Sequence, residues 1–272
     1  MDPRRLHDLK VGKGSVFKSL VKIFRAPEKY LQCVKSIRTN VAFHFKMKNP
    51  KSQTNFDDGK EHDPVDFMRA LLDCMSDEFE ENDNWIKRLT EFVILEEHSC
   101  PNCSHQKQYN LTESIFQVDV KPISLHEAVM DKLKTESIEK GSGFNHACPI
   151  PINEVTLKKS LLVYPDMFLI QVNRFEMAAQ SDRFQKSKNE VKPSQEITFN
   201  EVKFTLEASI NHEGNSMETG HCICNVFEPK SKLFHRCSDS SVTKDLSGIK
   251  AQANQVYLAV YSKCTGGLDK QR

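Results

Sequence analysis

Two features of this 272-residue chain carry chemistry by residue type and spacing: a histidine behind a glycine, and a close pair of cysteines. The histidine is His221, within Ala208–Val226, which reads ASINHEGNSMETGHCICNV. An apolar, strand-like run ends at Ile210, a loop rich in Gly, Asn and Ser follows, and Gly220-His221 opens a second strand. Glycine leaves room for a backbone to approach. Imidazole titrates near neutral pH, so it can take a proton and return it. The chemistry on offer at His221 is therefore general acid–base catalysis, although a histidine at a strand end is also an ordinary surface residue. The cysteines are Cys100 and Cys103, in Cys-Pro-Asn-Cys. That spacing puts two thiolates on one tetrahedral metal, and it also suits a redox pair.

The elements that must hold these residues follow from apolar periodicity. Val16, Phe17, Leu20, Val21, Ile23 and Phe24 form a helical stripe. Pro27 suits the first turn of a second helix through Tyr30, Leu31, Val34 and Ile37. Asn49–Lys60 is polar and turn-rich, a surface loop. Asp63-Pro64-Val65-Asp66 begins the best-marked helix: Asp63 caps, Pro64 sits at the first helical position, and Asp66 is placed to reach back to the cap amide. Val65, Met68, Leu72, Met75 and Phe79 line its apolar face. Beyond the cysteine pair, Phe116–Val120 reads as a strand, Leu125–Leu133 as a helix, and Val155–Val163 and Met167–Phe175 as strands around Tyr164-Pro165. Gln180–Gln195 is charged and aperiodic, a loop. Strands are expected at Ile197–Phe204, Leu206–Ile210, His221–Phe227, Phe234–Val242 and Gln255–Tyr261.

Composition narrows the class. With 38 basic and 37 acidic residues the net charge is +1, which leaves no electrostatic footprint for nucleic acid. No apolar run approaches the roughly 20 residues that span a bilayer, so no membrane partner is expected. Nine cysteines without a secretory signal read as reduced thiols or metal ligands in a cytoplasmic or nuclear protein. Oligomeric state is not legible.

Against that frame, Asn211-His212-x-Gly214-x5-Gly220-His221 resembles the histidine box of the ubiquitin-specific proteases, papain-like cysteine enzymes that cut ubiquitin from other proteins. His62-Asp63-Pro64-Val65-Asp66-Phe67-Met68 is similar to the family's Gln-Asp-Ala-x-Glu-Phe-Leu box, with His62 for Gln and Asp66 for Glu. Met167-Phe-Leu-Ile-Gln-Val-Asn-Arg174-Phe175 resembles its Leu-Ile-x-Leu-x-Arg-Phe strand, with the apolar composition of a buried central strand. The resemblance implies an α+β, papain-like cysteine protease fold of the ubiquitin-specific protease type. Its N-terminal helical part would be truncated, its antiparallel palm sheet would carry His221, and its fingers would bear the cysteines. A lead-in at 1–14 would precede a domain at 15–263, helical over about 15–90 and fingers and palm over about 91–263, with a tail at 264–272.

The same resemblance assigns roles. Asp63 and Asp66 would hold ubiquitin's basic C-terminal tail through charge-assisted hydrogen bonds, and Gly220, where a backbone has room, joins them. Aligned on Val242, Ser238 stands where the family keeps the Asp or Asn that orients the histidine, and Asp239 takes the next acidic place. A serine accepts a hydrogen bond but cannot stabilise imidazolium as a carboxylate does. No cofactor is required, but structural zinc is possible: Cys148 stands where the family's second cysteine pair begins, its expected partner position is Pro151, and His146, His98 or His105 could supply the fourth ligand. Zinc with a substituted ligand and fingers held by packing alone are both open. The family's nucleophile lies in a Gly-Asn-Thr-Cys box, which is expected to be missing here. Cys33 and Cys74 sit in helical patterns, while Cys222 and Cys224 adjoin His221 and alternate to the face opposite Ile223. The leading expectation is a catalytically inactive relative that binds ubiquitin, ubiquitinated proteins or another partner. The alternatives are an active deubiquitinase whose cysteine box lies outside this chain, and an interaction scaffold that binds no ubiquitin.

Overall fold

The structure is a computed structural model. It describes residues 15–25, 30–81, 84–120, 124–139, 144, 146, 148, 150, 152–177, 184–216, 219–239, 241–245 and 255–264. The expected lead-in, Pro27, Pro151 and all of the tail but Cys264 lie outside those residues. The chain divides into two compact units, residues 1–89 and 90–272.

The first unit is helical, with α1 (Ser15–Arg25), α2 (Tyr30–Lys48), α3 (Pro64–Ser76) and most of the short α4 (Trp85–Thr90). Val16, Phe17 and Val21 of α1 pack with Ile37, Val41 and Ala42 of α2 and with Ala70, Cys74 and Met75 of α3. The stripe expected on α2 is only partly inward: Ile37 is buried, but Leu31 is 80% exposed. Phe17, Phe79 and Trp85 meet edge to face. The first turn of α1 leaves amides without intrahelical partners. The Glu78 carboxylate accepts two of them, from Val16 at 2.9 Å and Phe17 at 3.0 Å, and its charge suits the positive end of the helix. Asp63 caps α3 by accepting from the Val65 and Asp66 amides at 2.7 and 3.3 Å. The reciprocal bond expected from Asp66 is not made; its side chain, one methylene shorter than that of Glu, is exposed.

The second unit is built on strands, β1 (Phe92–Ser99), β2 (Gln106–Glu113), β3 (Ile115–Asp119), β4 (Glu136–Glu139), β5 (Glu154–Val163), β6 (Met167–Asn173), β7 (Phe175–Met177), β8 (Phe184–Lys186), β9 (Glu196–Phe199), β10 (Val202–Glu213), β11 (His221–Glu228), β12 (Leu233–Ser238), β13 (Ser241–Asp245) and β14 (Val256–Lys263), with one further helix, α5 (Leu125–Lys132). Four strands in the order β2-β1-β5-β4 form one antiparallel sheet. Eight form the larger one, in the order β13-β12-β11-β10-β14-β6-β3 with β9 also on β10. Among the described strands there, only β3 and β6 run parallel. β6 lies between two neighbours, and Phe168, Leu169, Ile170 and Val172 are buried, as its apolar run requires. They join Phe116, Val118, Leu206 and Tyr261 in the main core. Ser124 and Glu127 close a reciprocal capping box on α5.

Three expected segments are cut differently, each by a local conformation. Asn200 and Glu201 both have positive φ, 45° and 70°, and make the two-residue hairpin that joins β9 to β10. Asp239, at φ 49°, turns the chain between β12 and β13, which pair at Ser238 and Ser241. Within Gln180–Gln195, Phe184–Lys186 is a strand paired with β7. No helix among the described residues is long and apolar enough to cross a membrane.

Candidate active site and metal centre

His221 opens β11, which lies between β12 and β10 in the large sheet, and is placed by direct pairing with Glu213 of β10. The two glycines of its loop are explained by close approach rather than by turn geometry. A Cβ on Gly220 would sit 2.4 Å from Nε2 of His212 and 2.7 Å from the Glu213 carbonyl. One on Gly214 would sit 2.4 Å from the Thr219 carbonyl. The Nε2–Cε1 edge of the His212 ring thus closes on Gly220, the residue before His221, with Phe175 packed edge to face on the ring at 5.4 Å. Lys186 of β8 ties the same loop, donating to the carbonyls of His212 and, at 3.1 Å, Gly214. Burial, with the nearby Arg174 charge, holds its ammonium below the usual lysine range. Gly220→Ala is expected to destabilise the chain by about 1–3 kcal/mol, the usual range for forcing atoms into a packed site. In urea unfolding, His212→Ala should recover part of that loss in the double variant, because it removes the clashing ring.

Nε2 of His221 lies 2.8 Å from the Ser238 hydroxyl and 3.8 Å from the nearer carboxylate oxygen of Asp239. Ser238 is therefore the hydrogen-bond partner, and Asp239, 84% exposed at its turn, is a loose charge beside it. With Nε2 so engaged, Nδ1 is the nitrogen open to exchange a proton with a reacting group. Ser238 could act as nucleophile only with a third group orienting the ring, as hydrolytic dyads need. Glu213, the cross-strand neighbour of His221, is committed to Arg236 at 2.7 Å.

Sheet geometry sorts the neighbouring thiols. Residues directly opposed in an antiparallel pair share a face, and neighbours along a strand alternate. His221, Ile223 and Asn225 pair with Glu213, Asn211 and Ser209. Cys222 and Cys224 therefore point to the other face, and Cys237, opposed to Cys224, goes with them. Ser238, one step on, returns to the face of His221. Of the remaining thiols, Cys264 contacts the Thr205 hydroxyl at 3.1 Å, and Cys33 is buried in α2. Cys74 lies in the last turn of α3, the wrong end of a helix for a thiolate. Its burial, together with Glu78, Asp73 and Asp77, pushes it up to about 11.

In the helical unit, Asp63 is half-buried and Asp66 exposed on the first turn of α3. Crowding around the Asp66 carboxyl, and then the Asp63 charge, push its pKa up, with Arg69 offsetting part. Two such carboxylates gain from any cation that docks between them.

The four residues named for a metal converge. The ligand atoms of Cys100, Cys103, His146 and Cys148 all lie within 4.8 Å of one another. Cys100 and Cys148 are 3.7 Å apart at sulfur, and Cys103 Sγ is 3.7 Å from Nε2 of His146. A tetrahedron with metal–sulfur bonds of about 2.3 Å has sulfur–sulfur edges of about 3.8 Å. The cluster can hold a metal ion. Burial alone would raise the Cys100 thiol. Hydrogen bonds from the Asn102 amide, His146, Cys103 and Cys148 outweigh that and lower it to about 6, toward the thiolate a metal needs. Of the other histidines considered, His105 stacks on His146 at 4.3 Å and His98 lies 3.7 Å from Glu96.

Sequence reasoning did not find Lys186, the Glu213–Arg236 pair or the packing role of His212. Lys186 sits in a stretch with no period, so nothing local marked it. His212 was visible as the other histidine of the box, and only the space closed around Gly220 reveals its packing role.

The family model described as ubiquitin carboxyl-terminal hydrolase matches residues 8–261. The fold is similar to a SAGA DUB module of Ubp8, Sgf11, Sus1 and Sgf73 bound to monoubiquitin, with a TM-score of 0.74 and 14% identity over 92% of this chain and 58% of that one. It is equally similar to that module bound to ubiquitin aldehyde, with a TM-score of 0.74 and 14% identity over 97% of this chain and 63% of that one. This chain thus spans less than two thirds of the length of those it matches. No curated protein matches it.

Proposed function

Since the chain belongs to the ubiquitin carboxyl-terminal hydrolase family, we propose that it is a ubiquitin-specific-protease-like protein that binds ubiquitin without hydrolysing its isopeptide bonds. One observation carries the reading: none of the nine thiols is disposed to be activated by His221. Three are turned to the opposite face of its sheet, three belong to the metal cluster, one is engaged with Thr205, and two are buried in helices. Attack on an isopeptide carbonyl needs a thiolate beside the base and a donor set for the oxyanion. Here His221 can still take a proton at Nδ1, with Ser238 holding the ring, but Ser238 adds no negative charge to stabilise imidazolium. The intact His221–Ser238 contact favours one second reading, an active deubiquitinase whose thiol is supplied from outside this chain.

Zinc is the metal that best suits three thiolates and an imidazole at tetrahedral spacing. It would be held by Cys100, Cys103, His146 and Cys148 and would serve structure, since all four positions are filled by protein.

Ubiquitin's basic tail is proposed to meet Asp63 and Asp66. Titration with free ubiquitin tests this. Asp63→Ser keeps an N-cap oxygen and removes the charge, and Asp66→Asn removes the second carboxylate. Each is expected to weaken binding about 10-fold or more, the loss of one charge-assisted hydrogen bond. Undiminished affinity in both variants would remove α3 from the interface, and no binding by the unmodified chain would leave an interaction scaffold.

A further inference from the structure

The face of the large sheet that turns away from His221 carries a cysteine pair with no role in the preceding account. Cys224 of β11 and Cys237 of β12 are direct partners in the antiparallel register. Both are free and half-buried. Directly opposed residues in such a ladder have Cα atoms about 4.5 or 5.5 Å apart, depending on the pair type. Both values fall within the roughly 4.4–6.8 Å that a disulfide spans. Their side chains leave the sheet on the same side, so a bridge needs side-chain rotation and no strand movement. We propose that Cys224 and Cys237 form a reversible disulfide under peroxide, a covalent staple between the two strands that supply His221 and Ser238.

Alternative pairings are poorer. Cys222 lies two residues before Cys224 on the same strand, about 6.7 Å away along the chain with a parallel side chain. Its cross-strand partner on β10 is His212, not a thiol. Cys100, Cys103 and Cys148 converge on the metal cluster, and Cys264 faces Thr205. The face is also reachable: Val242, which pairs with Cys237 from β13, is 64% exposed. Burial, and the facing Cys237 thiol, push Cys224 up to about 11, so Cys237 is the thiol that a small oxidant meets first.

The chemistry balances with hydrogen peroxide as the oxidant. The Cys237 sulfur attacks one peroxide oxygen, the O–O bond breaks, and a sulfenic acid and one water form. The Cys224 sulfur then attacks the sulfenic sulfur, the S–O bond breaks, and a second water leaves with the thiol proton. The two sulfurs lose two electrons and the peroxide gains them. The staple closes a short loop, Asn225–Arg236, and fixes the register of β11 on β12 one residue from Ser238. Nothing in this step depends on ubiquitin binding.

The test uses the full metal-loaded chain, treated with hydrogen peroxide, quenched with an alkylating reagent, and digested without reduction. The expected product is a peptide pair joining the segments that hold Cys224 and Cys237, two hydrogens lighter than the free peptides together and separated by a reductant. It should form equally in Cys222→Ser and be lost in Cys224→Ser and in Cys237→Ser. Recovery of both residues alkylated, or of Cys237 as a sulfinic acid beside alkylated Cys224, would overturn the proposal. So would a dominant disulfide that joins either residue to another cysteine.

Discussion

Cys100→Ser is expected to abolish zinc binding by the purified chain and to loosen the segment around the proposed site. The apolar cluster there is small: Cys100, Phe144 and Val155 are its buried members, with Ile138, Cys148 and Ile152 packed against them. So few side chains bury too little surface to offset the conformational entropy of the loops they hold. A structural zinc would supply what is missing, since apparent binding free energies of about 10–16 kcal/mol in small zinc domains become folding free energy. Loss of one thiolate leaves three ligands and an open position. Elemental analysis should find about one zinc per unmodified chain and little in the variant. Hydrogen exchange at β1's end and at β5's start should rise in the variant while β6 and β14 stay protected, because the main core lies elsewhere. A chain that purifies without metal and shows the same protection in both forms would mean that packing alone holds this region.

Arg174→Met should lower the unfolding free energy by about 2–6 kcal/mol, because two buried carbonyls lose a well-formed hydrogen bond at about 1–3 kcal/mol each. Arg174 is fully buried. Its Nε donates to the Val256 carbonyl at 2.5 Å, and Nη1 to the carbonyl of Asn189 at 2.9 Å and, weakly, to that of Ser187 at 3.5 Å. Burial pulls the guanidinium down to about 10, still well above neutral pH, so the group stays charged. A methionine fills similar volume but leaves those carbonyls dry, at about 1–3 kcal/mol for each one left unmet. Lysine should fare little better, because one ammonium cannot reproduce the planar fork that bonds separate segments. Urea unfolding of the two variants reads the result directly. Val256 pairs with Asn211, one residue from His212, so the variants should also raise exchange at the start of β11. Wild-type stability in Arg174→Met would show that the buried guanidinium is not what joins these segments.

What the sequence made legible, and what it hid, divides along the distance over which the information acts. The cap at Asp63, the helix it starts and the buried run of β6 are local patterns, and they read directly. Gly220 was legible as a place of close approach, but the group approaching it, His212, comes from the neighbouring strand. The fourth metal ligand was open among three histidines because chain spacing does not say which ring turns inward; convergence selects His146. Ser238 and Asp239 could be told apart only by the turn at Asp239, whose positive φ carries its carboxylate out to solvent. Lys186 lay in an aperiodic stretch, and its bonds to the His212 and Gly214 carbonyls are purely tertiary. The thiols around His221 are the opposite case. Alternation alone turns Cys222 and Cys224 away from it, and the observed register adds Cys237.

The central claim is a ubiquitin-protease body that keeps its proton carrier and has no thiol for it to activate. The most direct test is incubation of the purified, reduced chain with ubiquitin carrying a thiol-reactive group at its C-terminus, read by intact mass. The account predicts no adduct at any of the nine cysteines under conditions where free ubiquitin binds. A stoichiometric adduct that disappears in His221→Ala would contradict it and make the protein a working deubiquitinase.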